Sequence, residues 1–140
     1  HHLGGAALGA TPDGRRRGAP LADSIGAETG TASGGLSGIL RSVARIKSNA
    51  YYRGGYNLNI TVSPETATAD ILASLVRGFF TQGGQELQIN CLSADVLNQA
   101  MANPTAYGDL IVRIAGFSAR FIDLPEMEQL ELVERAKLAG

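Results

Sequence analysis

The stretch that decides the fold runs Leu110-Ile111-Val112-Arg113-Ile114-Ala115-Gly116-Phe117-Ser118-Ala119-Arg120-Phe121. Leu110 to Ile114 predict a strand, rich in β-branched residues. Ala115 to Ala119, small residues around one phenylalanine, predict a compact loop. Phe121 to Leu124 predict a short extended stretch, after which Pro125 opens a final helix. That helix places Glu126, Glu128 and Glu131 toward its N-terminus and Arg135 and Lys137 near its C-terminus, the order that complements a helix dipole.

Upstream of this stretch the same alternation repeats. Ile39, Leu40, Val43, Ala44 and Ile46 recur at helical spacing and predict a short helix over 36–47. Tyr56 to Val62 alternate and predict a strand. Ser63-Pro64-Glu65 has the form of a helix start, and Ile71, Leu72, Leu75, Val76, Phe79 and Phe80 supply the apolar stripe of an amphipathic helix ending near Gly83-Gly84. Glu86 to Leu92 predict another strand, with Cys91 buried in it as a small hydrophobe. Ser93 then caps a helix carrying Val96, Leu97, Ala100 and Met101, closed by Asn103-Pro104. Strand and helix alternate, which predicts an α/β chain with largely parallel pairing. Three strands make a thin sheet that needs cover on both faces, so the pattern implies part of a larger sheet or barrel.

Composition narrows the chemistry. The 140 residues carry 44% hydrophobic and 18% charged residues, which suits a folded unit rather than a disordered one. Glycine contributes 18 residues, ten of them in residues 1–38, where they predict loops. No apolar run approaches the length needed to span a bilayer, so no membrane association is expected. One cysteine excludes an internal disulfide and a thiolate-rich metal site, and no metal is expected. The only histidines are His1 and His2, so no internal position holds the usual general base of a Ser/His or Cys/His triad. Residues 1–53 carry seven basic against three acidic side chains, and residues 54–140 five against ten. Arg15-Arg16-Arg17 is the densest basic point, but without aromatic interleaving it favours loop-anchoring ion pairs over nucleic-acid binding. The glycines from Gly9 to Gly18 lack the ending of a phosphate-binding loop, and Gly34-Gly35-Leu36-Ser37-Gly38 lacks the dinucleotide spacing.

Arg113-Ile114-Ala115-Gly116-Phe117-Ser118-Ala119-Arg120-Phe121 resembles the signature of glycyl radical enzymes, in which an arginine three residues before a glycine leads into a Gly-aromatic-small-small-x-Phe run. A second block, Gly9-Ala10-Thr11-Pro12-Asp13-Gly14-Arg15-Arg16 through Gly18-Ala19-Pro20-Leu21-Ala22-Asp23, resembles the same family. Gly83-Gly84-Gln85-Glu86-Leu87-Gln88-Ile89-Asn90 and the run from Asn103-Pro104 to Leu110 are similar to the family's approach to its glycine loop. The resemblance covers essentially the whole chain, in order.

The resemblance implies the C-terminal part of a ten-stranded α/β barrel, with the glycyl loop between a strand and the last helix. Residues 1–20 would end the formate-lyase-like barrel domain and 21–140 would form the glycine radical domain. Gly116 matches the radical-bearing glycine. Arg113, Phe117, Ser118 and Phe121 would support its loop, Arg113 by anchoring it and the two phenylalanines by shielding it from solvent and oxygen. The radical would be installed by a radical-SAM activating enzyme, using S-adenosylmethionine and an iron–sulfur cluster that this chain does not itself bind. It would pass to a thiyl cysteine on an upstream part of the barrel, not Cys91, and act on a small-molecule substrate in a homodimeric, anaerobic, cytoplasmic enzyme. Cleavage of C–C, C–O, C–N or C–S bonds all remain open as reactions. The chain alone is then expected to be inactive, a piece of a longer protein with apolar surface exposed where the rest of the barrel packs. A stand-alone repair subunit for an oxygen-damaged enzyme and a non-catalytic α/β binding module are the alternatives.

The residue chemistry favours glycine at such a site for its own reasons. A Cα radical is planar and delocalised over the flanking amide nitrogen and carbonyl, and a Cβ substituent would clash with that planar backbone. Glycine also reaches loop conformations closed to other residues.

Overall fold

The computed structural model describes residues 1–28, 31–32, 34–46, 54–114 and 116–137. A short helix α1 (His2–Ala7) and a looped stretch precede α2 (Gly35–Ala44). Next come β1 (Asn57–Val62), α3 (Ala69–Thr81), β2 (Glu86–Cys91) and α4 (Ala94–Ala102). After a 3-10 turn, β3 (Ile111–Ile114) and β4 (Phe117–Arg120) lead through a second such turn into α5 (Glu126–Lys137).

The strands form two separate pairs. β1 and β2 run parallel, from Asn57 opposite Glu86 to Val62 opposite Cys91, with α3 as the crossover between them. Parallel pairing requires such a crossover, because a hairpin turn cannot bring two strands side by side in the same direction. β3 and β4 pair antiparallel, with Arg113 opposite Ser118 and Ile114 opposite Phe117. The expected parallel layering therefore holds for one pair and fails for the other. Residues 117–119, expected in a loop, belong to a fourth strand, because a two-residue connection folds them straight back onto β3. Phe121–Asp123, expected extended, form a 3-10 turn.

Two apolar clusters hold these pieces. The first joins α2, β1 and α3 through Leu40, Val43, Leu58, Ile60, Val62 and Phe79. Gly84 is required there, since a Cβ at that position would run into the Phe79 ring. The second joins α4, β3 and α5 through Leu97, Ala100, Val112, Phe121, Leu132 and Val133. The largest fully buried side chains are divided between them: Leu58 in the first, and Phe121, Leu97 and Val112 in the second.

Local starts and stops follow side-chain capping, with one correction. Ser93 caps α4 by accepting from the Asp95 amide at 3.2 Å, as expected. Ser63 does not cap α3. It closes a separate turn, accepting from the Glu65 amide through its hydroxyl and from Thr66 and Ala67 through its carbonyl. The cap of α3 lies five residues later, at Thr68, which accepts from the Ile71 amide, and Asp70 supplies the acid of the first turn. The apolar stripe of α3 is also wider than the face it buries, since Ile71 and Phe80 stand about half exposed. α2 ends at Ala44, and residue 47, the expected end of that helix, lies outside the described residues.

Two further expectations are corrected. Cys91 is exposed, not buried. Leu87 and Ile89 on β2 pack on the first cluster, but Cys91 closes the strand and runs past it. Arg15 is buried and anchors its loop, with no ion pair among the described residues: its guanidinium donates to the carbonyls of Gly9, Arg16 and Ala19. Around it, Thr11-Pro12-Asp13-Gly14 forms a turn, closed by the Gly14 amide donating to the Thr11 carbonyl at 3.1 Å.

Candidate functional site

Gly116 sits in the two-residue connection of the β3–β4 hairpin, with Ala115 outside the described residues. Its φ of +95° lies in the left-handed region, where a side chain is strained. The space a Cβ would enter is open, so the demand for glycine comes from the backbone conformation rather than from crowding.

Both polar groups bonded to the Gly116 Cα are engaged. Its N–H donates to Gln88 Oε1 at 3.0 Å, and its carbonyl accepts from Arg113 Nη2 at 3.1 Å. Arg113, expected to anchor the loop, thus contacts the glycine itself. β2 holds the hairpin a second time through Asn90, which accepts from the Arg113 amide at 3.0 Å and donates to the Arg113 carbonyl at 2.8 Å. At the hairpin's base the Phe121 amide donates to the Leu110 carbonyl at 2.8 Å. Gln129 Nε2, from α5, donates to the Phe121 and Leu124 carbonyls.

The remaining expected site residues are spread along the hairpin. Phe117 and Ser118 are exposed at its tip. Phe121 is fully buried, but in the second apolar cluster below the hairpin rather than beside Gly116. The residues missing from the sequence-based site are Gln88 and Asn90. Their signal was a polar side chain at alternate positions of a strand whose other face is apolar, which puts two amides on one side of β2.

His1, His2 and Glu131 are the one grouping among the described residues whose ligand-type atoms lie within reach of each other. His1 Nε2 and His2 Nε2 lie 2.7 and 2.6 Å from the same Glu131 oxygen. Arg135 takes the other Glu131 oxygen and also pairs with Asp23 at 2.8 Å. With a guanidinium already on this carboxylate, an added cation would meet repulsion, and Glu131 with Arg135 ties the start of the chain to α5. A cavity of about 190 Å³ lined by Asp23, Leu36, Ile39, Asn59, Thr61 and Arg135 includes none of the hairpin residues.

A glycine at positive φ, exposed on a hairpin tip with both flanking polar groups gripped, defines a backbone site rather than a side-chain one. The chain belongs to the glycine radical family, whose model matches residues 21–122. It is 34% identical to trans-4-hydroxy-L-proline dehydratase of Clostridioides difficile, covering 98% of this chain and 18% of that protein. It is 32% identical to formate acetyltransferase 1 of Escherichia coli, covering 94% and 19%. Among solved structures it superposes on a 1,2-propanediol-dehydrating protein of Roseburia inulinivorans with a TM-score of 0.86, at 36% identity, covering 96% of this chain and 17% of that one. The B12-independent glycerol dehydratase of Clostridium butyricum gives a TM-score of 0.83 at 36% identity, covering 94% and 17%. The chain spans less than a fifth of each of these relatives. It is a glycine radical domain homologous to glycyl radical enzymes, among them dehydratases and formate acetyltransferases. Among the described residues no helix is long and apolar enough to cross a membrane.

Proposed function

We propose that this chain is the C-terminal, radical-storing part of a glycyl radical enzyme, and that the radical resides on the Cα of Gly116. The observation that carries the reading is the engagement of both groups bonded to that Cα, at a backbone conformation that selects glycine. Homolysis of the Cα–H bond leaves a planar centre whose unpaired electron is shared with the attached nitrogen and carbonyl. The hydrogen atom leaves to a radical-SAM activating enzyme, which supplies S-adenosylmethionine and an iron–sulfur cluster of its own. An exposed hairpin tip is the part of this fold that such a protein can reach.

The radical then passes to a cysteine sulfur outside these 140 residues, on the barrel portion that the longer relatives contain. Cys91 is not that cysteine: it sits on β2, the strand that holds the hairpin, and not on a separate loop. Residues 1–20 are assigned to the end of the barrel domain and 21–140 to the glycine radical domain. The exposed Ile111 and Phe117 fit a hairpin that inserts into such a barrel, where Phe117 gains its shielding role. The whole enzyme acts on a small-molecule substrate as a homodimer in an anaerobic cytoplasm, by lyase, dehydratase or formate-acetyltransferase chemistry.

The test is anaerobic activation of the enzyme that contains this chain. An organic-radical EPR doublet is expected, lost in Gly116→Ala, with oxygen exposure cutting the chain at Gly116. Absence of both signals while the activator demonstrably docks would remove the reading.

A further inference from the structure

β2 presents two different faces. Leu87 and Ile89 pack on the first apolar cluster, while Gln88 and Asn90 reach across to the hairpin. Among the described residues no backbone hydrogen bond joins β2 to β3, and the two strand pairs are separate sheets. The hydrogen-bonded link between the glycine hairpin and β2 is therefore made by two side-chain amides. Asn90 stands in for a neighbouring strand, pairing with both backbone groups of Arg113. Gln88, one methylene longer, reaches the tip.

We infer that Gln88 is a positioning residue for Gly116: its Oε1 fixes the orientation of the glycine N–H and, paired with Arg113 on the glycine carbonyl, polarises the two groups that would share the unpaired electron. This deepens the reading of Gly116 as the radical site and rests on it for its chemical meaning. Accepting a hydrogen bond from an amide N–H makes that nitrogen a better electron donor. Donating a charge-assisted hydrogen bond to a carbonyl makes it a better electron acceptor. Gln88 and Arg113 act in these two senses on the two groups attached to one carbon. Both effects favour delocalisation across the Cα, and both peptide groups are held against free rotation.

A second observation separates this role from plain structural support. The Gln88 Nε2 is buried and makes no hydrogen bond among the described residues. Burying an unpaired donor is costly, so an apolar side chain of similar length would suit packing alone better. What an apolar chain cannot supply is the acceptor for Gly116.

The experiment compares the native chain with Gln88→Met, which keeps length without an acceptor, and Gln88→Glu, which keeps the acceptor. Amide hydrogen exchange is read residue by residue in the unactivated protein, and the EPR spectrum is read after anaerobic activation. Gln88→Met should speed exchange at Gly116 by about tenfold while leaving the β1–β2 amides unchanged, and Gln88→Glu should retain the protection. The radical of Gln88→Met should show altered hyperfine splitting, and that of Gln88→Glu should stay close to native. Unchanged Gly116 exchange in Gln88→Met overturns the inference. So does loss of protection throughout β1–β2, which would make Gln88 a general prop, or failure of Gln88→Glu to restore the native behaviour. A native protein that never yields a radical, yet shows the exchange pattern, sinks the radical reading and leaves the positioning role of Gln88 standing.

Discussion

The region from α2 to β2 and the region from α4 to α5 contain similar elements but are held by different physics. In the first, helices and a parallel strand pair close on an apolar cluster, with Gly84 allowing the Phe79 ring to lie against the backbone. In the second, an apolar cluster holds the hairpin through Val112 and Phe121, with half-buried Ile114 packed against it. Beyond Ile114 the turn is exposed, and the contacts that grip Gly116 and Arg113 are polar, from Gln88, Asn90 and Arg113 itself. Apolar packing is non-directional and sets where an element lies. Hydrogen bonds are directional and set how one peptide group is turned. A site made of backbone needs the second kind of control, and the structure supplies it at Gly116.

The sharpest way to break this comparison is Gly116→Ala. The open space around that position predicts a folded chain, destabilised by about 1–3 kcal/mol through the positive φ. The proposed function predicts complete loss of the EPR doublet alongside that modest shift in melting. Loss of folding together with loss of signal would mean that the hairpin is a structural keystone and not a separable site.

Next in size are the two cores. Phe121→Ala should cost about 3–5 kcal/mol and Leu58→Ala about 2–5 kcal/mol in denaturant unfolding, because both side chains are fully buried. If the clusters behave as distinct units, the double variant should equal the sum of the singles within roughly 0.5 kcal/mol. A larger coupling would show one continuous core.

Arg113→Ala tests the polar tip. Loss of the bond to the Gly116 carbonyl should weaken the hairpin by about 0.5–1.5 kcal/mol, seen as faster amide exchange in β3 and β4 with the global melt nearly unchanged. Cys91→Ser should have the smallest effect. An exposed thiol at the end of β2 contributes little packing, so the melting temperature should hold, and so should radical yield and turnover in the activated enzyme. A large loss of turnover with the radical intact would assign Cys91 a part in radical transfer.

Much of this was legible in the residues. The period-two run of β1, the apolar stripe of α3, the Ser93 cap and the charge order of α5 each rest on near neighbours in the chain, and each appeared where expected. The false helix start at Ser63 shows the limit of such signals: a serine–proline pair served a turn of its own, and Thr68 capped the helix. The buried expectation for Cys91 failed because strand alternation says which face a residue is on, not whether anything covers that face at the strand's end. Gln88 and Asn90 stood in the family-like run without an assigned role, because their partners lie 28 and 23 residues away.

The sequence by itself determined the family, the alternation of strand and helix, and Gly116 as the position to watch, since each follows from local periodicity and motif order. Only the tertiary structure decided that residues 117–120 return as a fourth strand, that Phe121 belongs to the second core, and that amides from β2 turn the Gly116 backbone. Those facts depend on which distant surfaces meet, and the geometry of a hydrogen bond between residues far apart in the chain exists only once packing has brought them together.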